Sequence, residues 1–230
     1  MAEEGADIID IGGESSRPGA EPVPLEVELE RVIPVIRELS DKIDILISID
    51  TYKATVAKEA LKAGASIIND ISGLRFDPMM AKVAAEAECP VIIMHMKGTP
   101  RDMQKRPVYK DVAKEITAFF KERISFAVKN GIKKNKIIID PGIGFGKTVG
   151  HNLEIIKRLK EFRKLGVPIL LGPSRKSFIG KILNADIENR LEGTAAAVAI
   201  GIANGADIVR VHDVKEMADV ARITDAIIKG

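Results

Sequence analysis

KIIIDPGIGFGKT, Lys136 to Thr148, sets an apolar, β-branched run in front of an aspartate, three glycines at spacing two and a GKT ending. A strand feeding a glycine-rich loop with lysine and threonine invites a nucleotide-binding reading. The phosphate loop G-x-x-x-x-G-K-[ST] needs its first glycine at 141, where this chain has Pro141, and from Gly142 the loop is one residue short. The dinucleotide fingerprint G-x-G-x-x-G fails too, because Lys147 stands where the third glycine belongs. What survives is a strand ending on Asp140, then a tight loop able to press its backbone against a ligand.

The same pattern recurs outward from this stretch. Short apolar runs lie at ADIIDI (6–11), DILISI (44–49), SIIN (66–69), VIIM (91–94), KIII (136–139), PILL (168–171) and DIVRV (207–211). They are continuous rather than alternating, as parallel strands covered on both faces require. Helical patterns separate them, the clearest being Val112, Ile116, Phe119, Phe120, Phe126 and Val128, with Gly131 as its stop. GADII (5–9), GASII (64–68) and GADIV (205–209) each place a glycine where a helix ends and a strand begins. No linker or low-complexity stretch interrupts the series, so residues 1–230 read as one domain. The fold class is α/β, a (β/α)8 TIM barrel. Seven strands are counted, and the chain opens on the last turn of a helix, so strands two to eight are expected, with the first one truncated away.

Composition narrows the partners. Of 230 residues 46% are hydrophobic, enough for a large core. Lys+Arg 35 against Asp+Glu 33 are interleaved, and with no Trp and two Tyr there is no basic stripe or stacking platform for nucleic acid. No run approaches a membrane span and MAEEGADIID is no signal peptide, so a cytoplasmic protein is expected. Cys89, before Pro90, reads as a buried structural thiol.

The strand ends carry Asp10, Asp50, Asn69 with Asp70, His95, Asp140, Ser174 to Lys176, and Arg210 with His212. In a parallel barrel these ends share the face where active sites sit. Each alone could be a solvated loop residue or a helix cap. Together they suit a flat heterocycle, since carboxylates of Asp50 and Asp140 with Asn69 can accept from an N–C–N edge. Arg210 and His212, two apart on a strand and so on one side of it, form an anion site with Lys176 and with Arg17 of GGESSRPG. His95, His151 and His212 show no metal-ligand spacing, His151 reads as an exposed helix-start residue, and no G-x-S-x-G elbow supports a hydrolase.

IIDIGGESSRPGA (8–20), SIDTYK (48–53), IINDISG (67–73), IMHMKGTP (93–100), DPGIGFGKT (140–148), GPSRKSFIG (172–180) and RVHDV (210–214) resemble, in order, the strand-end motifs of the dihydropteroate synthase family. The resemblance implies a (β/α)8 transferase of folate biosynthesis. Its substrates are 6-hydroxymethyl-7,8-dihydropterin pyrophosphate and p-aminobenzoate, its products 7,8-dihydropteroate and pyrophosphate. It implies that Asp50, Asn69, Asp140 and Lys176 bind the pterin, that Met94 lines its pocket and that Arg210 stacks on it. Arg210 and His212 hold the pyrophosphate, so Arg210, His212 and Lys176 are the catalytic set. Ser16, Arg17 and Pro18 belong to a mobile loop that shapes the p-aminobenzoate pocket with Phe145, Lys176 and Ser177, while the GKT ending is coincidence. A homodimer and magnesium are also implied. The family's metal ligand is an asparagine in its opening strand, M-G-I-L-N-V-T-P-D-S-F, which has no match here, so no metal ligand is expected in this chain. Ser16 replaces the family's usual threonine. The alternatives are another pterin-binding barrel of the methyltetrahydrofolate methyltransferase type, or a non-catalytic pterin-binding module.

Overall fold

The structure is a computed structural model describing residues 1–230. Its strands are β1 (Ile8–Gly12), β2 (Leu46–Asp50), β3 (Ile67–Asp70), β4 (Val91–Met94), β5 (Ile137–Asp140), β6 (Leu170–Leu171) and β7 (Ile208–Val209). Between and after them run α1 (Leu25–Ser40), α2 (Ala54–Lys62), α3 (Met80–Glu86), α4 (Val112–Lys129), α5 (Val149–Lys157), α6 (Ser177–Leu183), α7 (Leu191–Ala203) and α8 (Val214–Lys229). All seven expected strands are present and parallel. They pair in chain order from β1 to β5, a single bridge from Ile139 to Ile169 joins β5 to β6, and β6 pairs β7. The order is that of a barrel wall, but no ladder joins β7 to β1, so the barrel is not closed.

The continuous apolar runs have a simple cause. One set of alternate residues, including Ile47, Ile49, Ile68, Val91, Ile93, Ile137, Ile139, Ile169 and Leu171, packs against the helices in a core of 37 buried residues. The other set faces inward: Ile67, Ile92 and Leu170, with Ile8, Ile138 and Ile208 beside them, form an apolar layer inside the wall. Two residues past Ile8, Ile67, Ile92 and Ile138 the same inward side carries Asp10, Asn69, Met94 and Asp140, and two past Ile208, just beyond the end of β7, comes Arg210. The polar site is therefore the second layer of the barrel interior, resting on the first.

Local sequence sets the boundaries. Asp111 caps α4 by accepting from the Lys114 amide at 3.0 Å, and Gly131 beyond its end sits at φ +93°. Gly5, Gly64 and Gly205 all have positive φ, as the repeated helix-to-strand motif requires. Two expectations need correction. Val128 belongs to the outer face of α4, 46% exposed. The last strand stops at Val209: the Arg210 amide makes the final ladder bond, to the Leu171 carbonyl, and beyond it the His212 amide turns to Ser174 Oγ as the chain enters the loop before α8. Arg210 and His212 are thus not a pair on one strand face.

Candidate active site

The parallel register builds the site in rows. Asp50 lies beside Asn69, and Met94 beside Asp140. Asn69 is fully buried and its Nδ2 donates to Asp10 Oδ2 at 3.0 Å, while its Oδ1 has no partner. Asp140, 1% exposed, accepts from the Gly142 amide at 2.7 Å through Oδ1 and faces Arg210 through Oδ2 at 3.4 Å. Arg210 also reaches Asp10 Oδ2 at 3.4 Å, so one guanidinium spans two carboxylates across the interior. Asp10 takes the Ser48 hydroxyl as well. Burial and the neighbouring Asp10 push the Asp50 carboxyl well above the usual carboxylate range, against the opposing charge of Arg210.

Lys176 lies over the Phe145 ring with Nζ 4.4 Å from its centroid. Burial, with Arg210 nearby, pulls its ammonium down to about 8, while Asp140 and Asp50 oppose the shift. Phe145 and Met94 share a small apolar cluster with Ile71, Met96 and Met103, which supplies a greasy wall next to the polar layer. His212 sits at the rim, exposed. Its backbone amide donates to Ser174 Oγ at 3.1 Å, and that hydroxyl lies 2.8 Å from His212 Nδ1. That contact occupies Nδ1 and leaves Nε2 as the ring nitrogen free for a ligand. Burial and the charge of Arg175 lower the ring's basicity, with Asp213 opposing.

Ser16 is half-buried and Arg17 and Pro18 are exposed on the loop after β1, whose tip meets the loop after β4 where the Gly19 amide donates to the Pro100 carbonyl at 3.0 Å. The charge of Arg17 is felt at Lys176 and His212, so the loop hangs over the cationic side of the site. Ser177 opens α6 and is exposed. The residues singled out in the sequence but outside this set serve the scaffold. Asp70 accepts from the Ser72 and Leu74 amides, His151 closes a capping box with Thr148, and Cys89 is buried. His151 is half-buried rather than exposed, with its ring edge on Tyr109.

Two residues carry more than the sequence showed. Asp10 lies mid-strand rather than at a strand end, and its place in the apolar run IIDI was the available signal that it faces the interior. Lys147, the GKT lysine, is 3% exposed and donates to the carbonyls of Phe145 at 2.9 Å and His95 at 3.3 Å, with His95 Nδ1 at 3.1 Å. It staples the glycine loop to the end of β4. The glycines serve that contact: a methyl group on Gly142 would lie 2.1 Å from the His95 carbonyl oxygen, and one on Gly146 2.5 Å from that of Lys97. The loop hugs a neighbouring loop rather than a phosphate.

No group of three or more His, Cys, Asp or Glu side chains is arranged to hold a metal. The nearest imidazole nitrogens face Lys147 and Ser174, and the cations Arg210 and Lys176 occupy the middle of the site. These residues do not fit a protein-built magnesium cage.

An interior that sets carboxylates beside a cationic rim suits a polar heterocycle, and the chain matches the family described as pterin binding enzyme over residues 1–212. It is 50% identical over 228 residues to the dihydropteroate synthase of Synechocystis, covering 99% of this chain and 79% of that protein. The dihydropteroate synthase of Yersinia pestis, solved with a sulfonamide drug complex, superposes with a TM-score of 0.97 at 43% identity, covering 100% of this chain and 83% of that one. That of Xanthomonas albilineans, solved with 4-aminobenzoic acid, gives 0.93 at 44% identity, covering 98% and 81%. The chain belongs to the pterin-binding enzymes and, within them, to the dihydropteroate synthases.

Proposed function

We infer that the site joins 6-hydroxymethyl-7,8-dihydropterin pyrophosphate to p-aminobenzoate, releasing pyrophosphate. The observation that carries the residue assignment is the Asn69 amide: a buried acceptor without a partner, beside Asp50 and near Asp140, calls for donors from a ligand. A pterin's amino and ring N–H groups supply them. Met94 and Phe145 receive its apolar face, Lys176 serves its polar edge, and Arg210 stacks along it. Breaking the methylene C–O bond sends its electron pair to pyrophosphate, where Arg210 and the His212 ring meet the developing charge. The arylamine nitrogen, between Phe145, Ser177 and the loop of Ser16, Arg17 and Pro18, then forms the C–N bond and releases its surplus proton. A weakly basic arylamine attacking an electron-poor carbon needs no dedicated base.

Magnesium, when bound, would neutralise pyrophosphate charge, and no step here depends on it. A homodimer in the cytoplasm completes the reading. Exposed Ile200 on α7 and Ile223 and Ile227 on α8 supply an apolar surface for a second copy, and no helix is long and apolar enough to cross a membrane.

The test is pyrophosphate release that requires both substrates, paired with calorimetry of a pterin analogue. Asp140→Asn is expected to weaken the pterin by ~1.5–3 kcal/mol through loss of charge-assisted hydrogen bonds. An unchanged affinity removes Asp140 from the pterin edge. His212→Ala is expected to weaken pyrophosphate binding by about 1–2 kcal/mol and to leave a phosphate-free pterin nearly unaffected. Equal losses for both ligands would take His212 out of the anion site.

A further inference from the structure

The loop carrying Ser16, Arg17 and Pro18 is closed at its base by one carboxylate. Glu14, at the first bend after β1, accepts from the Val23 amide at 2.9 Å through Oε2, tying the loop's two ends together. The same oxygen takes Lys53 Nζ at 2.6 Å, and Oε1 takes the Tyr52 hydroxyl at 2.7 Å. Lys53 also pairs with Glu28. Glu28 is 1% exposed on the inner face of α1, and its other oxygen takes Thr51 Oγ1 at 2.7 Å. Gly13 seals the joint, since a methyl group there would lie 2.9 Å from both Glu28 Cγ and Val32 Cγ1. Beyond this base, the tip is tied to the neighbouring loop by the Gly19 to Pro100 hydrogen bond and an exposed Arg101–Glu21 pair.

Two carboxylates around one ammonium are an expensive way to hold a helix against a strand, because sequestering charge costs about what the pairing returns. What such a cluster supplies is direction: each partner is fixed by short, oriented hydrogen bonds. Lys53 also stands three residues after Asp50, in the short connection from β2 to α2, so the loop base and the pterin-facing carboxylate share one segment.

We propose that Lys53 and Glu14 are positioning residues for the arylamine. The Glu14–Lys53–Glu28 cluster fixes the base of the 14–23 loop relative to the Asp50 turn, so that Ser16, Arg17 and Pro18 close on the second substrate from a rigid root. The identity of what is closed upon rests on the dihydropteroate synthase reading; the clamp itself does not.

The test uses the full chain with Glu14→Gln, Lys53→Met and Lys53→Arg, reading amide hydrogen exchange by mass spectrometry and steady-state KM for each substrate. Glu14→Gln and Lys53→Met are expected to speed exchange over residues 13–24 by roughly tenfold, the worth of a lost charge-assisted hydrogen bond, with β5 unaffected. KM for p-aminobenzoate should rise by a similar factor while that for the pterin pyrophosphate stays within about twofold, and Lys53→Arg should restore most of both. Unchanged exchange overturns the clamp, and KM values that rise together overturn the arylamine role. If Lys53→Met fails to fold with Glu28 left unpaired, Glu14→Gln, which keeps Lys53 on Glu28, decides alone. Exchange needs no turnover, so it decides the clamp independently of the dihydropteroate synthase reading; where no turnover is measured, the calorimetric Kd of p-aminobenzoate with a pterin analogue bound replaces KM, and an unchanged Kd overturns the arylamine role.

Discussion

Arg210→Met is expected to cost at least two to three orders of magnitude in kcat/KM for pyrophosphate release, the usual consequence of removing a fixed donor aimed at developing negative charge. It should also destabilise the unliganded fold by ~3–5 kcal/mol, because Asp10 and Asp140 would lose their shared cation in a buried layer. The two effects are separable. Arg210→Lys keeps the charge but not the planar fork that spans both carboxylates, so it should recover much of the stability and little of the rate. The checks are urea unfolding and turnover on the same preparations. A methionine variant within tenfold of the parent in kcat/KM would show that the guanidinium serves the scaffold alone.

The reason Arg210 could be found from sequence, and its partners only in part, lies in how strands display their residues. A run such as KIII or VIIM is apolar on both faces, which announced parallel strands under helices and gave the element order correctly. The same continuity hides which alternate residue looks inward, so Asp10 read as one more strand-end polar group although it sits in the polar layer, between Ser48, Asn69 and Arg210. The pairing of Arg210 with His212 assumed a strand through Val211. The two-residue β7 ends before either, and the two side chains reach their places by different routes, one across the interior and one by way of Ser174. The Glu14, Lys53 and Glu28 cluster was invisible for another reason. Its members are far apart in sequence, and on a chain with balanced, interleaved charges isolated glutamates and lysines look like solvated surface.

Lys147 is the remaining case, and its burial has a measurable consequence. Burial pulls its ammonium down to about 7, with the nearby Asp140 opposing the shift. The folded-state value lies below the ordinary lysine value of 10.5. Between the two the unfolded chain binds one more proton than the folded one, so stability rises with pH across that window and is flat with respect to this group below it. A full proton is worth about 1.4 kcal/mol per pH unit, so from pH 7.5 to 9.5 Lys147 should add roughly 2–3 kcal/mol. Lys147→Met removes that slope. Its cost at pH 7.5 should be small, because the lost donors to the Phe145 and His95 carbonyls offset the relief of no longer burying a cation. By pH 9.5 the parent should be the more stable by about 2–3 kcal/mol relative to that starting difference. Urea unfolding of both proteins at several pH values across this range reads the difference in slope, to which Lys147 and its charge coupling to Lys176 contribute. Parallel stability curves would mean that Lys147 keeps an ordinary proton affinity in the fold. In that case its ammonium, fully charged across the whole range, would be held by the two carbonyls and His95 alone.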